Sequence, residues 1–315
     1  MDRRSFLTSL ALGLLPSRPG EPADPSLLLQ QRLSVALAAT SPEAPWAPGV
    51  LADKLSLATA AFDRCQYLAL AEQLPGLVVA AGHAPEDQSD ESATASAIYH
   101  LAARVAGKLP LTTGLAPIAA ERAVLAAERS GDRLVVAASS AVLASATRRA
   151  GDPHRAQQIS LRAAEGLRLR DTAAIREAVQ LYCGAGYAAA LAGDASRSDD
   201  LYREARLTGG LAETDTLKVQ LTAYSDAHQI SAALKMDDAA AALGHARRVP
   251  LSALPTHERV ARLLVDCAQA RFQFGHRELA YKLLQTAYDV APEEVRTRDA
   301  ARRLAAALLG EGTQI

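Results

Sequence analysis

Four short stretches of this 315-residue chain bring together groups able to share a proton, a metal ion or a phosphate. In GHAPEDQSDES, His83, Glu86, Asp87, Asp90 and Glu91 offer imidazole and carboxylate donors, but without the ordered ligand spacing of a calcium loop. A solvated connection is expected there. GAGYAA, from Gly184 to Ala189, has the form of a dinucleotide-binding G-x-G-x-x-A. That motif requires a buried strand before it and a helix starting at its glycines. Here it lies inside a helical pattern, so helix packing accounts for Gly186. Asp226 and His228, two residues apart, fall on different helix faces and cannot form a simple dyad. His228 therefore reads as a surface or groove histidine. Asp289, Glu293 and Glu294 flank Pro292, which opens a last helix, and acids in a first turn suit the helix dipole.

No G-x-S-x-G, Walker loop, H-E-x-x-H or zinc spacing occurs, and the seven histidines are scattered. Cys65, Cys183 and Cys267 stand far apart and read as small core residues. Neither a metal, a cofactor nor a catalytic activity is expected.

The first residues, MDRRSFLTSLALGLLPSRPG, carry a different signal. Arg3, Arg4, Phe6 and Leu7 match the core of a twin-arginine export signal, residues 6–15 form a short apolar region, and Arg18 follows. Asp2 and Thr8 depart from that pattern, and a clean A-x-A cleavage site is missing. The opposing reading is an amphipathic segment docked on the first repeat.

The elements that must position any site are helical. Hydrophobic residues make up 49% of the chain but aromatics only 4%, so the apolar mass is mostly Ala, Leu and Val, which suits close helix packing. The formal charge of −1 provides no overall field for nucleic acid or an anionic membrane. After the opening stretch no apolar run has the 18 or so residues of a membrane span. Residues 16–49 hold seven of the fifteen prolines and read as a tether with one short helix near Leu27 to Ala39. Within it, Trp46 is either an anchor on the body or part of a linker.

From about Val50 onward helices follow one another. In THERVARLLVDCAQARFQFG, Val260, Leu263, Leu264, Cys267, Ala270 and Phe274 form one apolar stripe. The pattern also repeats. Gly275, Ala280, Ala287 and Pro292 follow one another at steps of five, seven and five; Gly151, Ala156 and Ala163 repeat the first part, as do Gly193, Ser198 and Ala205. A weaker copy centres on Ala242. Gly151 and Gly193 are 42 apart and Gly193 and Gly275 are 82 apart, so one unit is a helical hairpin with its connection. The small residues fit the ~8–10 Å separation of packed helices.

This spacing, with Gly186 seven residues before Gly193, resembles tetratricopeptide repeats. Over residues 50–309, YHLAARVAGKL, AAERSGD, LSALPTHERVARLLVDCAQA and APEEVR look like the tetratricopeptide-like sensor region of actinobacterial regulators that carry a lambda-repressor-type helix-turn-helix. Those regulators often carry an RRxFL-like segment after that DNA-binding domain. Here the 49 residues before the repeats are too short and proline-rich for a helix-turn-helix, so direct nucleic-acid binding is not expected.

The resemblance implies an all-α, right-handed superhelical stack of hairpins, a tetratricopeptide-like solenoid over 50–309, followed by a tail at 310–315. It also implies that the first helix of each hairpin lines a groove. Counting back from the turns assigns Ser145 and Arg148, Gln180, Cys183, Tyr187 and Ala190, Tyr224 and Ser231, and Arg262, Val265, Gln269 and Phe272 to that groove. Such a mixture suits a peptide, small effector or protein partner. The expectation is a non-catalytic cytoplasmic sensor or adaptor, which the resemblance places in transcriptional regulation, with homodimerisation left open; the alternative is a helical-repeat scaffold of the cell envelope exported by the twin-arginine pathway.

Overall fold

The computed structural model describes residues 2–13, 24–39 and 47–310. Among them are sixteen α-helices and no strand. In chain order these are α1 (Arg3–Ala11), α2 (Pro25–Ala38), α3 (Pro48–Asp63), α4 (Tyr67–Ala81), α5 (Ser89–Ala106), α6 (Ala116–Ser130), α7 (Arg133–Arg149), α8 (Pro153–Glu165), α9 (Thr172–Leu191), α10 (Ala195–Gly209), α11 (Asp215–Lys235), α12 (Ala239–Ala246), α13 (His257–Gln273), α14 (Arg277–Val290), α15 (Pro292–Thr297) and α16 (Asp299–Gly310). None of them is long and apolar enough to cross a membrane.

Local chemistry explains the hairpin turns. Gly131, Gly151 and Gly193 take positive φ angles of 67°, 99° and 81°, a conformation that costs glycine little, and an aspartate follows each. Asp132, Asp152 and Asp194 then accept hydrogen bonds from backbone N–H groups in the first turn of the next helix. The copy around Ala242 reads weakly because Asp237, at φ 58°, occupies the position of the glycine, with Asp238 as the cap. Cys65, at φ 59°, turns the chain between α3 and α4.

The helices pair in order: α5 with α6, α7 with α8, α9 with α10, α11 with α12, and α13 with α14. The first members also touch one another in sequence, α5 with α7, then α9, α11 and α13. Small residues sit at the contacts: Ala156, Ala205, Ala242, Ala280 and Ala287 are buried. Gly186 lies inside α9, where a Cβ would come within 3.0 Å of the Tyr202 ring. Helix packing, not a phosphate loop, accounts for that glycine.

Helices α1 and α2 contribute more to the body than the proline content of the first 49 residues suggests. Helix α1 packs on α16, with Phe6, Leu7 and Leu10 buried, and Phe6 makes edge-on contacts with Tyr281 and Tyr288 of α14. The segment therefore docks on the last helices, whose aromatic and apolar side chains receive its stripe, rather than on the first repeat. Helix α2 lies on α4 through buried Leu29, Leu33 and Leu37. Trp46 lies outside the described residues.

The first and last hairpins also meet. Tyr67 donates its hydroxyl hydrogen to Glu294, and the Leu68 N–H donates to Glu293 Oε2 at 2.9 Å. Lys108, just after α5, donates to Glu258 of α13 and, at 3.2 Å, to Glu294 of α15. One apolar core runs through this seam, from Phe62, Tyr67 and Leu70 to Leu264, Leu284 and Val295.

Candidate functional site: a cavity between the inner helices

The inner helices α5, α7, α9, α11 and α13 surround a cavity of about 360 Å³. A second space of about 240 Å³ shares Gly107, Lys108, Arg148, Arg149 and Arg262 with it and reaches α15. Each inner helix contributes polar groups because its apolar stripe faces its outer partner and its neighbours.

Most of the groove residues expected from the repeat register come together here. Ser145, Arg148, Gln180, Tyr224 and Arg262 line the larger cavity. Tyr187, Ser231 and Gln269 line the smaller one. Arg148 stands 4.7 Å from the Tyr187 ring centroid and donates to Ser145 Oγ at 3.3 Å, and Arg262 approaches the same ring at 5.8 Å. Arg262 also donates to Ser231 Oγ at 3.3 Å, while Ser231 donates to Asp266. Four register positions do something else. Cys183, Ala190 and Val265 fill core space, and Phe272 packs against the main core beneath Arg277.

Around these stand residues that the register count did not select: Arg104, Lys108, Arg149, Glu177, Glu258, Arg259 and Glu294. Arg104 was accessible to the same rule, since it lies three residues before Gly107 at the end of α5. Arg149 falls beside the counted position Arg148. Glu258 and Glu294 reach the site only through the seam, which has no local sequence signature.

The electrostatics differ between the two sides. Burial alone would raise Glu258, but Lys108, Arg259 and Arg262 hold its carboxyl well below the usual range. Burial opposes ionisation of Glu294 as well, and Lys108 with Arg298 outweighs it. Glu177 lacks such a partner: burial pushes its carboxyl up to about 7, against a smaller opposing pull from Arg104. Burial, reinforced by Arg259 and Arg262, keeps His228 well below its ordinary range and therefore neutral. Its Nε2 faces Arg259 Nη1 at 2.8 Å, and its ring lies 4.7 Å from that of Tyr224.

The other chemistry-bearing stretches lie elsewhere. Asp226 pairs with Arg248 at 3.1 Å, separate from His228. Glu86 pairs with Arg129 at 3.1 Å, and Asp90 and Glu91 fall in the first turn of α5. Among the described residues no three His, Cys, Asp or Glu side chains are grouped to hold a metal ion. Arg3 pairs with Glu278 and stacks 4.7 Å from the Tyr281 ring centroid, Arg4 is exposed, and Phe6 and Leu7 are buried.

Comparison with known proteins finds no matching family model, curated relative or solved structure.

Proposed function

We propose that this chain is a non-catalytic sensor or adaptor whose repeats form a right-handed, tetratricopeptide-like superhelical stack, and that it binds an effector in the cavity between the inner helices. The observation that carries this reading is the convergence of polar side chains from five consecutive hairpins on one cavity. Occupancy would be relayed through the seam, because Glu258 lines the cavity and also holds Lys108. The three cysteines are core residues held as thiols, which suits a binding protein better than thiol catalysis. The Cys183 thiol is pushed up to about 12 by burial, as is that of Cys267, and burial drives Cys65 still further from a thiolate.

The packing of α1 favours a resident role for Arg3–Leu7, and with it a cytoplasmic protein. Mass analysis of the protein from its own cells tests this: a chain beginning beyond about residue 20 would restore the export reading. The binding reading is tested by hydrogen exchange with native mass spectrometry. A Gly184→Leu substitution places a side chain at the cavity wall, where Gly184 has only Ser160 Oγ at 3.7 Å. The wild-type protein should carry a bound molecule that slows exchange around Tyr67 and α15. Retention of that molecule by Gly184→Leu would refute binding in this cavity.

A further inference from the structure

The positive groups around the cavity are not equally matched. On the α13 and α15 side each cation has a carboxylate: Arg259 is 3.3 Å from Glu258, Arg262 is 3.9 Å from Asp266, and Arg298 is 3.0 Å from Glu294. On the α5 and α7 side the arrangement differs. Arg104 stacks 4.2 Å from the Phe62 ring centroid, and Arg148 has only Ser145 and the Tyr187 ring. Arg149 lies against the end of α5, its Nε 3.4 Å from where a Gly107 side chain would begin. Among the described residues no carboxylate comes within salt-bridge distance of Arg104, Arg148 or Arg149; Asp63, Glu177 and Glu258 act on Arg104, and Glu294 on Arg149, only from longer range.

A second observation points the same way. Arg259 can only donate, so His228 Nε2 accepts, and the proton of the neutral ring sits on Nδ1. That nitrogen is buried and has no hydrogen-bond partner. The cavity wall thus carries a surplus of donors and of positive charge. Unpaired charge in a partly desolvated site is costly, and guanidinium groups present planar pairs of N–H donors that match the two oxygens of a carboxylate or phosphate. The volume, about 360 Å³, suits a small molecule.

Resting on the cavity-binding reading above, we infer that the ligand is a small molecule bearing an oxyanion group, a phosphate or a carboxylate, held by Arg104, Arg148 and Arg149. The paired cations of α13 shape the site, and the unpaired ones receive the anion. Arg148 and Arg149, adjacent at the end of α7, are the pair whose loss the ligand should feel most.

The test uses the full chain with inorganic pyrophosphate and citrate as probes, against sodium chloride of equal ionic strength. At least one probe should raise the melting temperature and bind by calorimetry, and Arg148→Gln/Arg149→Gln should weaken it by about tenfold or more. Without a probe the double variant should melt at or above the wild type, since it removes unmatched charge. A response to pyrophosphate alone assigns a phosphate ligand, and a response to citrate alone a carboxylate. Failure of both probes, an equal response in the double variant, or a marked loss of its unliganded stability would overturn the inference. If native mass spectrometry instead finds a neutral molecule that is lost in Gly184→Leu but kept in the double variant, cavity binding stands and the anion falls. If no molecule and no probe binds, both fall.

Discussion

The hydroxyl of Tyr67 donates to the carboxylate of Glu294, joining α4 to α15 across 227 positions of the chain. Around that bond Lys108 bridges Glu258 and Glu294, and all four side chains are largely withdrawn from water. The seam is polar in a region otherwise made of Ala, Leu and Val, which gives it a defined register as well as cohesion.

Replacing Lys108 by Met should therefore be far more damaging than losing a surface ion pair. It leaves two neighbouring buried carboxylates without their shared cation, and a cost of about 3–5 kcal/mol is expected by urea denaturation at pH 7. The pH dependence follows from the depressed carboxyls. In the wild type, their contribution is present above the unfolded value of 4.5 and is lost as pH falls through the lower folded values. In Lys108→Met the deficit should shrink as the pH falls toward 4, because protonation relieves the repulsion. A deficit independent of pH would show that Lys108 acts through packing alone.

Glu177 should have the opposite pH signature. Its folded value, about 7, lies above the unfolded 4.5, so stability is full below 4.5 and declines as pH rises to about 7. The facing groups do not share this titration: burial holds His100 at about 3 and His228 well below its ordinary range, burial lowers Arg148 only to about 10, and burial raises Tyr224 further from ionisation. Glu177→Gln should match the wild type near pH 4 and exceed it by up to about 3 kcal/mol at pH 8. Parallel stability curves would place the carboxyl in water instead.

The docking of α1 predicts a local effect. Phe6→Ala removes the edge-on contacts with Tyr281 and Tyr288, and large-to-small changes at such sites cost about 3–5 kcal/mol when the surroundings cannot relax. A terminal helix can instead detach, so amide exchange in α16 should accelerate more than exchange in α9. Equal acceleration in both helices would contradict a local role.

The repeat register can be checked at Ala280 and Gly186. Ala280 has no exposed surface, and Ala280→Leu should cost about 1–3 kcal/mol by overpacking. Gly186→Val should do at least as much harm, because even a Cβ meets the Tyr202 ring at 3.0 Å. An unchanged melting temperature in either variant would show that the outer helices can move apart.

The helical hairpins were largely legible in the sequence because their signals are local. A Gly-Asp pair combines a left-handed turn with the cap of the next helix, and small residues recur at fixed steps beyond it. Counting from those turns brought Arg148, Gln180, Tyr187 and Arg262 to cavity walls. It failed at Cys183 and Val265, which share the helices but face their neighbours. The seam was not legible, because Lys108 and Glu294 meet only after every intervening hairpin has turned. Glu294 looked like a dipole-compatible acid in a first turn, which it is; its burial depends on residues 186 positions away. The docking of α1 was hidden for the same reason: its apolar stripe was visible, but its partner was at the other end of the chain.

Contact between the first and last hairpins has a consequence for how this protein can vary. An open row of hairpins can gain or lose a unit and remain serviceable, since each unit answers only to its neighbours. Here an inserted hairpin would carry Glu293 and Glu294 away from Leu68, Tyr67 and Lys108, leaving charges stranded on both sides. The seam thus ties the number of hairpins between Lys108 and Glu294 to its own bonds, and length changes more readily within the loops.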